Sequence, residues 1–188
     1  MSKGTLLVIS GPSGVGKGTI VKKLIARRPN ASLSVSCTTR APREGEKDGE
    51  SYFFTSRQKF KAMIEDGGFL EYSEHFDNFY GTPKQFVENR LKSGDVILEI
   101  EVDGALQVKK VMPEAVLVMI APPSREELYA RLKGRGTEGE DVIARRMDRA
   151  DYELSKSPLY DYVIINGDLE TAVSEVEDIL KKGDKKND

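Results

Sequence analysis

Residues 6–19 read LLVISGPSGVGKGT, an apolar run followed by a glycine-rich segment that ends at a lysine. Apolar positions then recur between residues 20 and 25 with the spacing of an amphipathic helix. A strand, a glycine-rich turn and a helix in this order predict a phosphate-binding loop, in which backbone N–H groups and the helix N-terminus face an anion. Lys17 is placed to bridge the β- and γ-phosphates of a nucleoside triphosphate.

The residue after this lysine departs from the common pattern of such loops. A serine or threonine usually stands there and gives its hydroxyl to Mg²⁺, whereas this chain has Gly18 followed by Thr19. Thr19 can still offer a hydroxyl to the phosphates. Because Mg²⁺ keeps much of its water shell and binds mainly through phosphates, the loss is tolerable. No protein ligand of the metal is certain from the sequence.

The rest of the chain alternates short apolar runs with helical patterns. Strands are predicted at residues 6–9, 33–38, 52–54, 69–76, 96–98, 116–120 and 162–165. Helices are predicted at residues 19–28, 56–66, 105–111, 140–156 and 169–182, with a further one capped by Ser124. This alternation predicts an α/β fold of three layers, with a central parallel sheet covered by helices on both faces. Residues 33–83 break the alternation and predict an inserted region of mixed α/β structure.

Composition bounds the protein further. The chain has 188 residues, 38% hydrophobic and 32% charged, which is typical of one globular domain. A net charge of −2 argues against a generally basic surface for a nucleic acid polymer. The single Cys37 excludes a disulfide within the chain, and the single His75 excludes a histidine-based triad or metal cluster. Because no apolar stretch approaches the roughly 20 residues of a membrane span, we expect a soluble, cytoplasmic protein that binds no membrane.

A second informative stretch is residues 36–46, which read SCTTRAPREGE. Arg40 and Arg43 stand three residues apart in a proline-bearing loop and can form a fork for a phosphate monoester. Tyr52 and Tyr80 can donate to a phosphate and shape an apolar slot for a base. Taken alone, each of these features is more typical of an exposed loop or surface strand than of a binding site.

Taken together, these residues resemble the guanylate kinases. Residues 10–19 are similar to the phosphate loop of that family, and residues 36–43 to its Ser-x-Thr-Thr-Arg-x-x-Arg signature. Three further segments match in order, at residues 69–71, 80–82 and 134–138. The resemblance extends from Gly4 to about Leu180. It implies a nucleoside monophosphate kinase of purine nucleotide metabolism, which transfers the γ-phosphate of ATP to GMP by in-line phosphoryl transfer with Mg²⁺ as cofactor, and dGMP is expected as a second acceptor.

The resemblance also implies two substrate sites. ATP would be bound by Gly11, Pro12, Ser13, Gly14, Val15, Gly16, Lys17, Gly18, Thr19 and Asn166. GMP would be bound by Ser36, Arg40, Arg43, Tyr52, Glu71, Tyr80, Gly81, Thr82, Glu99 and Glu101. Catalysis would use Lys17, Arg40, Arg131, Arg135 and Arg146, the last three from a closing lid.

Within the acceptor site, Arg40, Arg43, Tyr52 and Tyr80 would hold the phosphate. Guanine would be contacted by Ser36, Glu71 and Thr82. The family commonly has Asp-x-Asp where this chain has Glu99-Ile100-Glu101, so which glutamate meets GMP and which supports the Mg²⁺ side stays open.

The resemblance divides the single domain into regions. A GMP-binding region covers residues 33–83, a helical lid residues 126–147, and the core residues 1–32, 84–125 and 148–188. Asn166 lies near the adenine in the family, although a plain turn before a helix capped by Asp168 fits the local sequence equally well.

Two other functions remain open at this point. One is another nucleoside monophosphate kinase, such as an AMP kinase, to which Gly18-Thr19 is a partial pointer; the acceptor signature argues against it. The other is a non-catalytic guanylate-kinase-like interaction module of the kind that scaffolding proteins carry. The intact phosphate loop with Lys17 argues against the module. Oligomeric state is not predicted.

Overall fold

The computed structural model describes residues 4–134, 136 and 139–184, which form nine strands and seven α-helices. The strands are β1 Leu6–Ser10, β2 Ala31–Leu33, β3 Cys37–Thr38, β4 Phe53–Phe54, β5 Phe69–His75, β6 Asn78–Pro83, β7 Asp95–Glu99, β8 Val116–Ala121 and β9 Tyr162–Ile165. The helices are α1 Lys17–Arg27, α2 Arg57–Glu65, α3 Lys84–Arg90, α4 Val102–Val111, α5 Arg125–Gly134, α6 Glu140–Leu154 and α7 Leu169–Asp184.

Five strands form a central parallel sheet in the order β2-β7-β1-β8-β9. Because successive side chains of a strand point to opposite faces, the side chains of β1 belong to two hydrophobic cores. Leu7 and Ile9 pack with α1 and α7 on one face, whereas Leu6 and Val8 pack with α3 and α4 on the other. The three-layer α/β prediction is confirmed, and the carboxyl ends of β1 and β7 meet at one edge of the sheet.

A second sheet, in the order β4-β3-β6-β5, stands beside the first. Its β5–β6 hairpin is antiparallel and pairs Glu71 with Thr82. Phe60 of α2 is fully buried beneath this sheet, and its ring stacks on those of Phe69 and Phe79 at centroid distances of 4.3 and 5.3 Å. This aromatic core fixes the hairpin whose residues line the site described below. The limits of the predicted GMP-binding region and lid stay predictions.

The single strand predicted at residues 33–38 is wrong, because the chain changes sheets there. The Ser34 N–H donates to the carbonyl of Ile97 in the central sheet at 2.9 Å. Two residues later, the Ser36 carbonyl accepts from the N–H of Phe53 in the second sheet at 2.8 Å. An apolar pattern that continues across this switch reads as one strand, although its backbone hydrogen bonds go to two different sheets.

Three helix predictions also need correction. Helix α3 was not predicted, because it has only seven residues and one buried side chain, Val87. Helix α4 begins at Val102 rather than at 105, since Gly104 inside its first turn reads as a helix breaker. Helix α6 ends at Leu154 rather than at residue 156. Over the described part of the chain, no helix is both long and apolar enough to cross a membrane.

Candidate active site

The turn between β1 and α1 forms the predicted phosphate loop, and its glycines are there for steric reasons. Gly11 has φ 142°, and a Cβ there would lie 2.2 Å from the carbonyl oxygen of Ile120. Gly16 has φ 98° and caps α1. The Lys17 ammonium folds back over the loop and donates to the carbonyl oxygens of Gly11 at 2.5 Å and Pro12 at 3.1 Å. The lysine charge is thus held at the loop, where an anion would bind.

Asn166, which directly follows β9, supports the phosphate loop through a hydrogen bond. Its side-chain amide donates to the Val15 carbonyl at 2.8 Å, and the residue is only 7% exposed. Asp168 accepts from the Thr171 N–H at 2.8 Å and so caps α7. Asn166 therefore holds the loop in shape, and its contact with adenine stays a prediction.

Helices α5 and α6 bring two of the predicted lid arginines to the loop. Arg131 donates to the carbonyl oxygen of Asn166 and to a carboxylate oxygen of Glu127, both at 3.0 Å. Arg146 donates to the hydroxyl of Ser13 at 2.6 Å. Arg135 lies outside the described residues. Lys17 and Arg146 therefore contact the loop itself, and Arg131 contacts Asn166, the residue that supports the loop.

A cleft of about 690 Å³ opens between the second sheet and the N-terminus of α4. The residues predicted from the sequence that line it are Ser36, Tyr52, Glu71, Tyr80, Gly81, Glu99 and Glu101. Residues that were not predicted also line it: Ser73, His75, Ile100, Asp103, Gly104, Gln107 and Arg149. Thr82 lines an adjoining cavity of about 160 Å³. The structure thus brings most of the predicted acceptor residues into one place.

Glu71 is the buried carboxylate of this cleft, with 7% of its surface exposed. Its Oε1 accepts a hydrogen bond from the Thr82 hydroxyl at 2.6 Å, across the paired strands β5 and β6. Its Oε2 faces Gly104, where a Cβ would lie only 3.1 Å away. Burial raises the pKa of Glu71, while the hydrogen bond from Thr82 opposes that rise. One oxygen is therefore anchored, and the other lies beside a residue with no side chain.

Arg40 lies next to the cleft and is held by Glu46. One guanidinium nitrogen contacts both Glu46 carboxylate oxygens, at 2.8 and 3.0 Å, and the guanidinium lies 5.5 Å from the centre of the Tyr52 ring. Glu46 also accepts from the backbone N–H of Arg43 at 2.8 Å, and the hydrogen bond from Arg40 holds the pKa of this carboxyl low. Arg43 itself is exposed. Glu46 thus orders the arginine loop, a role that the sequence analysis missed.

Glu99 and Glu101 face different partners. A Cβ built on Gly18 would lie 3.4 Å from a Glu99 carboxylate oxygen, so Glu99 borders the phosphate loop. Burial raises the pKa of Glu99, and the charge of Lys17 counteracts it. Glu101 precedes α4, where its carboxylate lies 3.7 Å from Arg149 and 4.0 Å from His75. Glu99 therefore belongs to the side of the phosphate loop, and Glu101 to the far wall of the cleft.

Comparison with known proteins agrees with this geometry. The family model described as guanylate kinase matches residues 3–183. The chain is 52% identical over 181 residues to a guanylate kinase of Parasynechococcus marenigrum, covering 96% of this chain and all of the relative. It is also 52% identical to one from Clostridioides difficile, with 96% and 88% covered. The crystal structure of guanylate kinase from Anaplasma phagocytophilum superposes with a TM-score of 0.72 at 35% identity, covering 97% of this chain and 87% of the other.

Proposed function

Because the chain belongs to the guanylate kinase family, it transfers the γ-phosphate of ATP to GMP, and we propose that the phosphate loop and the adjoining cleft hold these two substrates. The observation that carries this assignment is the buried Glu71 carboxylate, with one oxygen anchored by Thr82 and the other beside Gly104. Glu99 links the two sites, since it lines the cleft and borders the phosphate loop.

Glu71 recognises the guanine base of GMP. The Watson–Crick edge of guanine carries two donors, N1–H and the 2-amino group, which match the two oxygens of one carboxylate. Adenine presents a bare N1 lone pair at that edge and no 2-amino group, so it would leave the buried carboxylate unpaired. A bidentate pair of this kind discriminates by about 1–3 kcal/mol. Ser36 and Thr82 add weaker contacts to the guanine.

The phosphate of GMP lies toward Tyr52 and Tyr80. These two rings pack edge to face at a centroid distance of 6.2 Å, and the Arg40 guanidinium stands over the first of them. In the resting protein Arg40 is neutralised by Glu46, and the incoming phosphate competes for the same guanidinium. Arg43, which is exposed in the same loop, supplies the second cation.

Transfer needs no nucleophilic side chain, because the acceptor oxygen of GMP already carries negative charge. Catalysis therefore rests on positioning and charge neutralisation. Lys17 exchanges the carbonyl oxygens of its own loop for the β- and γ-phosphates, and Arg131 and Arg146 approach from α5 and α6. Arg135, which the family resemblance implies, would add a further cation from the lid.

Mg²⁺ fits the space bordered by Gly18 and Glu99. Gly18 offers no side-chain ligand, but the Glu99 carboxylate supplies the hard oxygen donors that Mg²⁺ prefers. No group of three or more candidate metal ligands assembles among the residues that the structure describes. When bound, the ion would neutralise charge on the transferring phosphate. Glu99 and the hydroxyl of Thr19 would hold it or its water.

A coupled assay of ADP formation tests this function. ATP is offered with GMP, dGMP, AMP, CMP and UMP in turn, and turnover is expected with GMP and with dGMP. Turnover with AMP above that with GMP would refute the role of Glu71. No turnover with any acceptor would indicate a non-catalytic module.

A further inference from the structure

Arg149 of α6 reaches into the acceptor cleft from the side opposite the second sheet. Its guanidinium donates to the Asp103 carboxylate at 2.7 Å and lies 3.7 Å from that of Glu101. It also contacts Glu153 of its own helix at 3.2 Å. Tyr152 donates to the other Asp103 oxygen at 3.0 Å. Residues of α6 thus bind the first turn of α4 where that turn lines the cleft.

The lining of the cleft is rich in carboxylates. Four carboxylates line the cleft, those of Glu71, Glu99, Glu101 and Asp103. Among the described lining residues, Arg149 is the one lysine or arginine. A nucleoside monophosphate brings further negative charge, and like charges brought together in a partly buried site repel one another. Arg149 offsets part of that repulsion and draws Glu101 and Asp103 toward α6, on the far wall from the guanine-binding Glu71.

The same helix also reaches the other substrate. Arg146 stands one turn before Arg149 on α6 and donates to Ser13 of the phosphate loop. A rotation or shift of α6 therefore moves both contacts together.

We propose that Arg149 is a positioning residue for the acceptor, and that through α6 it couples the binding of GMP to the binding of ATP. The inference rests on the proposed place of GMP in this cleft. The inference adds that Arg149 fixes the positions of Glu101 and Asp103, the two acidic residues on the far wall of the cleft. Helix α6 is then a rigid connection between the two substrates. Arg146 is its end on the ATP side, and Arg149 is its end on the GMP side.

The experiment is a titration of GMP into the full-length enzyme, with and without a non-hydrolysable ATP analogue. The unchanged protein should bind GMP more tightly when the analogue is present, by roughly fivefold. Arg149→Gln should weaken GMP binding about tenfold and bring the ratio of the two GMP affinities close to one. The affinity for the ATP analogue measured without GMP should change less than twofold, which is about 0.4 kcal/mol, whereas the roughly fivefold tightening of the analogue by GMP should be lost as well, because coupling is reciprocal.

Arg145→Gln is the matched control, because Arg145 lies on the same helix and its Nε reaches only the backbone carbonyl of Asp141, at 3.3 Å. It should leave both GMP affinities unchanged. Arg149→Lys, which keeps the charge, should restore most of the GMP affinity. A charge role further predicts that Asp103→Asn, added to Arg149→Gln, recovers part of the lost affinity, because it removes one uncompensated carboxylate.

Three results would overturn the inference. The first is an Arg149→Gln enzyme that behaves like the Arg145 control. The second is a double variant that binds GMP no better than Arg149→Gln alone, which would indicate a packing role. The third applies even if Arg149→Gln does not fold: Asp103→Ala alone removes the side-chain oxygens that Arg149 and Tyr152 contact, and an unchanged ratio of GMP affinities would exclude coupling. Glu71→Gln in the same titration separates a failure of this inference from a failure of the proposed function. If Glu71→Gln kept full GMP affinity, the proposed acceptor site itself would be refuted.

Discussion

Gly104→Ala tests the guanine-reading geometry without touching a charged group. The added Cβ would lie 3.1 Å from Glu71 Oε2 and 3.4 Å from Ile100 Cδ1. Contacts this short require the neighbour to move by a few tenths of an ångström. Glu71 is buried and its other oxygen is fixed by Thr82, so the carboxylate must rotate away from the plane in which it meets guanine.

The expected rise in the KM for GMP depends on how far this displacement weakens the two hydrogen bonds between Glu71 and guanine. Such a pair discriminates by about 1–3 kcal/mol, and positioning errors of about 0.5 Å already impair a site. We therefore expect the KM for GMP to rise roughly three- to thirtyfold, while the KM for ATP stays within about twofold. Replacing glycine by alanine inside a helix also favours folding by roughly 0.5–1 kcal/mol, so the loss of affinity should come without a loss of stability.

Steady-state kinetics with GMP and ATP varied in turn, together with thermal unfolding, measure all three quantities. The control is Gly104→Ala in a Glu71→Gln background, where the extra methyl group should cost little more, since the carboxylate is already gone. An unchanged KM for GMP would show that the Glu71 carboxylate does not act from its observed position. Equal rises in both KM values would indicate a disturbed α4 instead.

Five further outcomes are expected. Lys17→Ala should lower kcat by on the order of 10²-fold or more while the circular dichroism spectrum is unchanged; near-normal turnover would exclude the lysine from transfer. Gly18→Ser should keep activity within about tenfold, because the new Cβ meets only the mobile end of Glu99, at 3.4 Å; a larger loss would show that the glycine is required beside the nucleotide. Since burial raises the pKa of Glu71 and guanine needs the carboxylate, the KM for GMP should rise as pH falls through that pKa. The ionised Glu71 costs stability above the same pKa, so Glu71→Gln should raise the unfolding temperature at neutral pH even as it weakens GMP binding; a lower unfolding temperature would contradict this. Burial raises the pKa of Cys37 to about 11, so its thiol should resist alkylation at pH 8 and react only in denaturant; rapid modification of the folded protein would contradict its burial.

Much of the central sheet was predictable because its signals are local. The β1–loop–α1 unit combines an apolar run, fixed glycine spacing and a helical period within a few neighbouring turns of chain. Strand β9 was predicted with its observed bounds, since four apolar or aromatic residues stand between turn residues. The switch at residues 34–36 was not predictable, because the hydrogen bonds that define it go to residues far along the chain.

The residues of the candidate site likewise divide into those that could be predicted from the sequence and those that could not. Arg40, Glu71 and Tyr80 lie in stretches that resemble a known family, so their importance could be predicted. Glu46 stands three residues after the arginine signature, and its ion pair with Arg40 depends on how the loop folds. Asp103 and Arg149 are 46 positions apart and meet only because the fold brings the first turn of α4 within reach of the long side chains of α6. No periodicity or spacing in the sequence marks such a pair.

The hydrogen bond from Asn166 to Val15 has a consequence for the order in which the chain becomes functional during synthesis. The phosphate loop is translated before the amide that holds it, which follows 151 residues later. At a translation rate of about 5–20 residues per second, that delay is roughly 8–30 s. The nascent chain therefore carries the nucleotide-binding motif without its support until residue 166 has been added. A chain that stops before residue 166 should retain the motif and yet bind ATP poorly, so incomplete chains would not sequester the nucleotide.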